Sequence, residues 1–253
     1  MKRLVSNHPI ARHLPQMGAL FQSQPSRMGL SETGLTLLEC IVSIVVIAIT
    51  GALITPPLFL ATATRLQNQR SEQALQIARG EVDRIRTLTE QSRHYPAALP
   101  AVGPANTAGV QSYALPNAIA NQIKSVNTGC ANLYDGAQVP PTTLLPVDVD
   151  GDCEGDFLMQ FFRTDGVTST RETAGGTNRP TEFKLGVRVY ARSAGDNLAN
   201  LYRDPDTGSV VATSLKFTSG EGNQRDRPLA VQYTQVTWGD TEFSLCQYHN
   251  QCN

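Results

Sequence analysis

The sequence predicts an α+β protein: one long N-terminal helix, membrane-spanning in its first half and amphipathic in its second, packed on a small antiparallel β-sheet. Three observations predict it. Leu35 to Ala63 is a 29-residue apolar run whose one ionisable carboxylate is Glu39. Residues 64–90 continue with apolar side chains spaced by three and four. Beyond residue 155, short runs alternate apolar and polar residues between turn-rich segments. The 253 residues carry 21 Lys+Arg against 22 Asp+Glu, a formal net charge of −1. That balance argues against a nucleic-acid partner, which normally demands a basic excess. With 40% hydrophobic and 17% charged residues the composition is not that of a disordered chain. One domain plus a membrane element fits the length.

Residues 1–34 read as a cytoplasmic leader. Lys2, Arg3, Arg12 and Arg27 against Glu32 give 4 − 1 = +3, and Pro9, Pro15 and Pro25 prevent a long helix. Residues 35–63 read as a transmembrane helix. At about 1.5 Å per residue the run is about 43 Å long, enough for a hydrocarbon core of about 30 Å. The positive leader predicts its own side as cytoplasmic, with the C-terminal part outside the inner membrane. A secretory signal peptide has an apolar core of only about 7–15 residues. A plain signal anchor explains length and orientation but not the acid at its entrance. A carboxylate in lipid costs about 2.5 kcal/mol or more, which marks Glu39 as functional.

Residues 64–95 form the amphipathic continuation. Ala74, Ala78, Val82, Ile85 and Leu88 make the stripe, while Arg65, Arg70, Glu72, Arg79, Glu81, Asp83 and Arg84 fall mostly elsewhere. The stripe packs on the chain's own domain, and His94-Tyr95-Pro96 ends the helix. The globular domain is 96–253. Residues 96–155, rich in Pro, Ala, Gly and Asn, read as a long connecting loop. About four strands follow: Phe157, Met159 and Phe161 on one face; Phe183, Leu185, Val187 and Val189; then runs 209–217 and 229–238.

Cys40 in the membrane helix reads as a small apolar residue. Cys130, Cys153, Cys246 and Cys252 fall in the exported part, where an even number favours two disulfides. Of the three pairings, Cys130–Cys153 with Cys246–Cys252 is preferred, the first stapling the loop and the second the tail. A zinc site is the rival, but no close CxxC pair exists. Asp148, Asp150 and Asp152 alternate in a short loop, a pattern that suits Ca²⁺ as a hard cation. Cys153 stands where an EF-hand has its turn glycine and no Glu closes the loop, so the alternative is a solvated acidic turn. No cofactor is required. Of four His, His8 and His13 lie in the leader and His94 and His249 at element ends. No GxSxG, HExxH, phosphate-loop or dinucleotide fingerprint occurs, so no enzyme is expected.

Ser31-Glu32-Thr33-Gly34-Leu35-Thr36-Leu37-Leu38-Glu39 resembles the cleavage motif of type IV pilins and pseudopilins. The resemblance implies a pilin-like fold. It also implies a prepilin peptidase that cuts after Gly34 and methylates Leu35, where Phe is commonest in the family. It assigns Glu39 to pairing with a neighbouring subunit's terminal amine, and Pro56 to the helix kink. Leu58-Phe59-Leu60-Ala61-Thr62-Ala63-Thr64-Arg65, the later Cys130, the Asp-rich loop with Cys153 and the run FLMQFFR are similar, more loosely, to one cyanobacterial group. These are the hormogonium polysaccharide secretion pseudopilins of a type II secretion-like apparatus associated with gliding. The implied partners are the other pseudopilins, the inner-membrane assembly platform and membrane lipid. A minor pilin acting in adhesion, DNA uptake or twitching is one alternative. A membrane-anchored extracytoplasmic binding module is another.

Overall fold

The computed structural model describes residues 36–103, 109–213 and 222–238. The chain divides into two units, Met1–Leu53 and Ile54–Asn253. Helix α1 (Leu37–Glu90) contributes its first turns to one and the rest to the other. In the first unit every described residue is exposed. Leu37–Thr55 is long and apolar enough to cross a membrane, and none of it is buried in the protein. Exposed Leu, Ile and Val cost about 25 cal/mol per Å² in water, so lipid is the solvent that matches this surface.

In the second unit α1 behaves as the stripe predicts. Ala74, Ala78, Val82 and Ile85 are buried and Leu88 packs against them. The helix ends at Glu90, before the expected His94-Tyr95-Pro96. Ser92 turns left-handed at φ 55°, its N–H donates to the Thr89 carbonyl, and the Arg93 N–H donates to the Leu88 carbonyl. That pair of bonds closes the helix as a Schellman motif, with Ser where Gly is usual.

The remaining elements are β1 (Ala118–Ile119), β2 (Lys124–Ser125), β3 (Thr143–Asp148), β4 (Phe157–Arg163), α2 (Thr170–Ala174), β5 (Glu182–Ala191) and β6 (Ala230–Thr237). The sheet is mixed rather than purely antiparallel. Strands β3, β4, β5 and β6 run antiparallel in that order, and the two-residue β1 and β2 both pair parallel to β3. The 96–155 stretch is therefore not one loop, because it contributes three strands. Strand β3 contains Pro146, which cannot donate to a ladder. It is tolerated because β1 covers only Thr143 and Leu144, β2 covers only Val147 and Asp148, and Pro146 lies in the gap between them. Residues 209–213 of the expected 209–217 strand are irregular, and the rest of that run lies outside the described residues. Val210 instead donates its N–H to the Gln111 carbonyl and buries its side chain.

Both sheet faces are covered. Phe157, Met159, Phe161, Phe183, Leu185, Val187 and Val189 join the helix stripe in one core. On the opposite face Leu144, Leu158, Tyr190, Ala194 and Leu201 form a second cluster. Tyr113 and Phe162 stack there at 4.2 Å between centroids. Two glycines make room for that pair: a Cβ on Gly186 would lie 2.6 Å from the Phe162 ring, and one on Gly103 2.2 Å from the Tyr113 ring. Arg188 is fully buried on this face, without a carboxylate partner among the described residues. Its guanidinium donates to the carbonyls of Gln111, Tyr113 and Ala114, to Gln160 Oε1 and to the Tyr233 hydroxyl.

Candidate functional site

Two regions bear on function, one in each unit. The first is the start of α1. Thr36 precedes the helix, and its Oγ1 accepts from the Glu39 N–H at 3.3 Å. Thr36-x-x-Glu39 is thus the sequence of a capping box, a signal that the apolar pattern masked. Glu39 sits in the first turn, where the unpaired N–H groups favour a nearby anion. Its side chain is exposed among Leu37, Leu38 and Ile41. This helix end therefore presents a carboxylate on an apolar surface, without a cation from the described residues beside it. Gly34 and Leu35 lie outside the described residues. The backbone is helical through Pro56 and Pro57, although neither has an N–H to donate to the ladder.

The second region is the acidic loop between β3 and β4. Cys130 and Cys153 form a disulfide with Cα atoms 5.4 Å apart, as expected. Cys246 and Cys252 lie outside the described residues. The bridge ties the β2–β3 connection to the loop, and Ser125 and Asn127 reinforce the join. Ser125 Oγ donates to Asp148 Oδ2 at 2.6 Å, and Asn127 Nδ2 donates to the Gly151 carbonyl at 2.9 Å. Gly151 turns at φ 87° and Cys153 at φ 69°, so the loop reverses tightly at both positions. Neither Ser125 nor Asn127 carried a sequence signal, because both partners are more than 20 positions away.

The carboxylates do not arrange as the alternation suggested. Asp148, Asp150 and Asp156 come together with oxygens within 4.8 Å, and Asp152 is not in the group. Asp152 instead accepts from the Glu154 N–H through Oδ1 at 2.7 Å. Asp148 is buried and both its oxygens are committed: Oδ1 accepts from the Gly151 N–H, and Oδ2 from Ser125 Oγ and the Cys153 N–H. The Ser125 hydrogen bond first, then those from Gly151 and Cys153, hold its carboxyl below the usual carboxylate range. Asp150 goes the other way. A hydrogen bond from the Asp152 N–H favours its charge, but desolvation and the crowded carboxylates of Asp152, Asp156 and Asp148 outweigh that and push its carboxyl up. A cation would relieve that crowding. The oxygens left for one are few, since Asp156 Oδ2 already accepts from the Val149 N–H and Asp150 Oδ1 from the Asp152 N–H.

The acidic loop forms one wall of a groove of about 590 Å³. Arg70 and Gln73 of α1, Arg192, Ser193 and Asp196 after β5, and Leu229 complete it. Arg192 donates to the Gly155 carbonyl at 2.9 Å, fixing the far wall to the loop. Five acids against two arginines leave the groove acidic. Chemically it offers carboxylates and carbonyls, with neither a His nor a free Cys among its lining residues.

Glu81 departs from the expected polar face. It is fully buried and pairs with Arg84 at 2.6 Å and with Lys124 of β2 at 2.9 Å. Burial alone would raise its carboxyl, but the Arg84 hydrogen bonds and the Lys124 charge bring it below the ordinary value. The pair ties the middle of α1 to the edge of the sheet.

Neither a protein-family model, nor a curated protein, nor a solved structure matches the chain.

The loop yields a direct test. Closing residues 23 positions apart contributes about 3 kcal/mol in the chain-entropy model, or roughly 10 °C in melting temperature. Reduction is therefore expected to lower the melting temperature of the full chain in detergent by about that amount. Calcium, which has few uncommitted carboxylate oxygens here, is expected to raise it by less than the bridge does. Melting curves with calcium or a chelator, each with and without reductant, decide this. A calcium gain larger than the disulfide gain would make the acids ligands first and a turn second.

Proposed function

We propose that the chain is a type IV pilin-like subunit, anchored by α1 in the inner membrane with its leader in the cytoplasm and residues 96–253 outside. More particularly, we read it as a pseudopilin of a type II secretion-like apparatus. Such subunits assemble into a periplasmic pseudopilus that supports polysaccharide secretion and gliding. The observation that carries this reading is the conjunction at the start of α1. A processing-type motif runs directly into an apolar helix whose first-turn acid has no cation beside it among the described residues, and the same helix becomes the core stripe of an α+β domain.

On this reading Gly34 is the cleavage residue, Leu35 the methylated terminus and Glu39 the acid that meets the neighbour's amine. Pro56 kinks the spine. The peptidase, the other pseudopilins, the assembly platform and lipid are the partners, while nucleic acid is not. The subunit works by assembly, without catalysis and without a required cofactor. The acidic groove and its disulfide belong to the exported surface, where a stapled loop withstands an oxidising compartment.

Mass spectrometry of the N-terminus from native membranes tests the processing step. A mature chain of 253 − 34 = 219 residues starting at N-methyl-Leu35 is expected, with cleavage lost in Gly34→Trp. An intact leader on the membrane-resident protein would sink the assignment. Deleting the gene and scoring surface polysaccharide separately from pilus number then separates a pseudopilus from a minor pilin. Loss of polysaccharide with normal pili is the expected result.

A further inference from the structure

Among the described residues one imidazole is fully buried. His94 follows the end of α1 and is 0% exposed. Neither ring nitrogen makes a hydrogen bond of acceptable geometry, although the carbonyls of Leu88 and Pro180 face the ring. What closes over it is Trp238, whose ring meets the imidazole edge-on at 4.5 Å between centroids. The Trp238 backbone N–H donates to the Thr181 carbonyl at 2.7 Å, and the Arg179 guanidinium lies 4.6 Å from the indole ring centre. Arg179 is in turn fixed by two hydrogen bonds of 2.8 Å to Glu172 and one of 2.8 Å to the Ser92 carbonyl. One cluster thus joins the C-terminal turn of α1, helix α2, the approach to β5 and the end of β6.

The charges facing the ring are Arg179, which opposes a proton, and Glu172, which favours one. They are bonded to each other, so burial dominates and the imidazole titrates below its usual value. A proton on His94 would place a second cation, buried, beside Arg179. Because the imidazole is 0% exposed, hydrating a charge on it requires a neighbour to move, and Trp238 is the ring packed against it.

We propose that His94, Trp238 and Arg179 form an acid-sensitive latch, closed while His94 is neutral and opened by its protonation, which releases Trp238 and the end of β6. The closed slot contributes its full stability above pH 6.5, the ordinary value. That stability declines as pH falls below 6.5, because the unfolded or opened chain then takes up the proton more readily. Glu172 acts in a separate window. Its carboxyl is held at about 2, chiefly by the Arg179 hydrogen bond, so its contribution stays intact down to about pH 4.5 and disappears only as the pH approaches 2. Opening of the latch therefore precedes loss of the Glu172–Arg179 pair.

The chain has one tryptophan, so its fluorescence reads Trp238 alone. In the full chain in detergent micelles, acidification from pH 7.5 is expected to red-shift the emission and increase acrylamide quenching. The change should be reversible, with a midpoint below 6.5 and with far-UV circular dichroism unchanged. His94→Phe, which keeps a ring in the slot, is expected to abolish the transition. A second measurement does not depend on that variant folding. In a chain whose His8, His13 and His249 are replaced by Asn, the remaining imidazole resonance reports His94 alone and is expected to titrate with the fluorescence midpoint. Retention of the transition in folded His94→Phe would overturn the latch. So would an imidazole that titrates without any change at Trp238. A fall in intensity with neither red shift nor greater quencher access would mean direct quenching in a closed slot, and would overturn it equally.

Discussion

A Glu39→Leu chain is expected to enter the membrane at least as well as the native one and to be lost from filaments. The two effects have opposite signs because the same carboxylate acts in two settings. In the lone subunit it sits in the first turn of a helix whose neighbours, Leu37, Leu38 and Ile41, are exposed apolar side chains. Removing it there relieves about 2.5 kcal/mol of insertion cost. In a filament the proposed partner is the terminal amine of the next subunit, and loss of one member strands the other cation in lipid. Breaking such a pair costs about 3 kcal/mol or more, roughly a 100-fold loss of subunit affinity at each contact, repeated along the polymer. Crosslinking in native membranes measures the oligomers and carbonate extraction measures insertion. The structure adds a competing role, since Glu39 also lies at the third position of a Thr36-capped helix. Glu39→Gln separates the two. It keeps the capping-box side chain but not the charge, so amine pairing predicts failed assembly and capping predicts near-normal assembly. Unchanged oligomers in both variants would retire the amine-pairing mechanism.

The parts that were legible in the sequence are those set by periodicity. The helix stripe Ala74, Ala78, Val82 and Ile85 is buried because a 3.6-residue period puts these residues on one face, and no tertiary detail is needed to see it. Phe157, Met159 and Phe161 share that core for the equivalent reason in a strand. Cys130–Cys153 was the preferred one of the pairings open to four cysteines, and it forms; their even number pointed to bridges but did not choose between partners. What was not legible depends on partners far along the chain. Glu81 looked like a solvent-facing acid because Lys124, its distant counter-ion, is 43 positions away. Strand β3 was hidden by Pro146, whose position opposite a gap between two short parallel strands is a property of the sheet and not of the run TLLPVD. Val210 and its neighbours carry strand-like residues, yet their backbone is tied to residue 111 and they cover a face instead of extending the sheet. In the acidic loop, alternation correctly marked the turn but chose Asp152 over Asp156 for the cluster. The peptide N–H groups that claim each carboxylate are set by the left-handed Gly151 and Cys153.

The second sheet face leads to the other large expected effect. Along β5 the residues alternating with Phe183, Leu185, Val187 and Val189 are Lys184, Gly186, Arg188 and Tyr190. Arg188 and Tyr190 are fully buried under the segments around residues 111–114 and 201–210. Those segments have few ladder partners, so their buried carbonyls need donors from elsewhere. Arg188 supplies them. It bonds the carbonyls of Gln111, Tyr113 and Ala114, and Arg203 adds bonds to those of Ser112 and Tyr113. The guanidinium also lies 5.0 Å from the Phe162 ring centre and 5.7 Å from that of Tyr233, which compensates part of its own desolvation. Arg188→Ala would remove a donor from five acceptors; the carbonyls of Tyr113, Ala114 and Gln111 keep one each from Arg203, Gln160 and the Val210 N–H, while Gln160 Oε1 and the Tyr233 oxygen lose theirs, at about 1–3 kcal/mol each when buried. A net loss of about 3 kcal/mol is expected, a large part of a domain's total stability. Arg188→Lys is expected to recover only a minor fraction, because three donors on a point charge cannot span the fork. Arg171→Ala, at an exposed position on α2, serves as the control and is expected to change stability by less than about 0.5 kcal/mol. Thermal melts of the three full-length variants in detergent decide the matter. If Arg188→Ala melts within a few degrees of the native chain, the second face is held by its apolar cluster and not by the guanidinium.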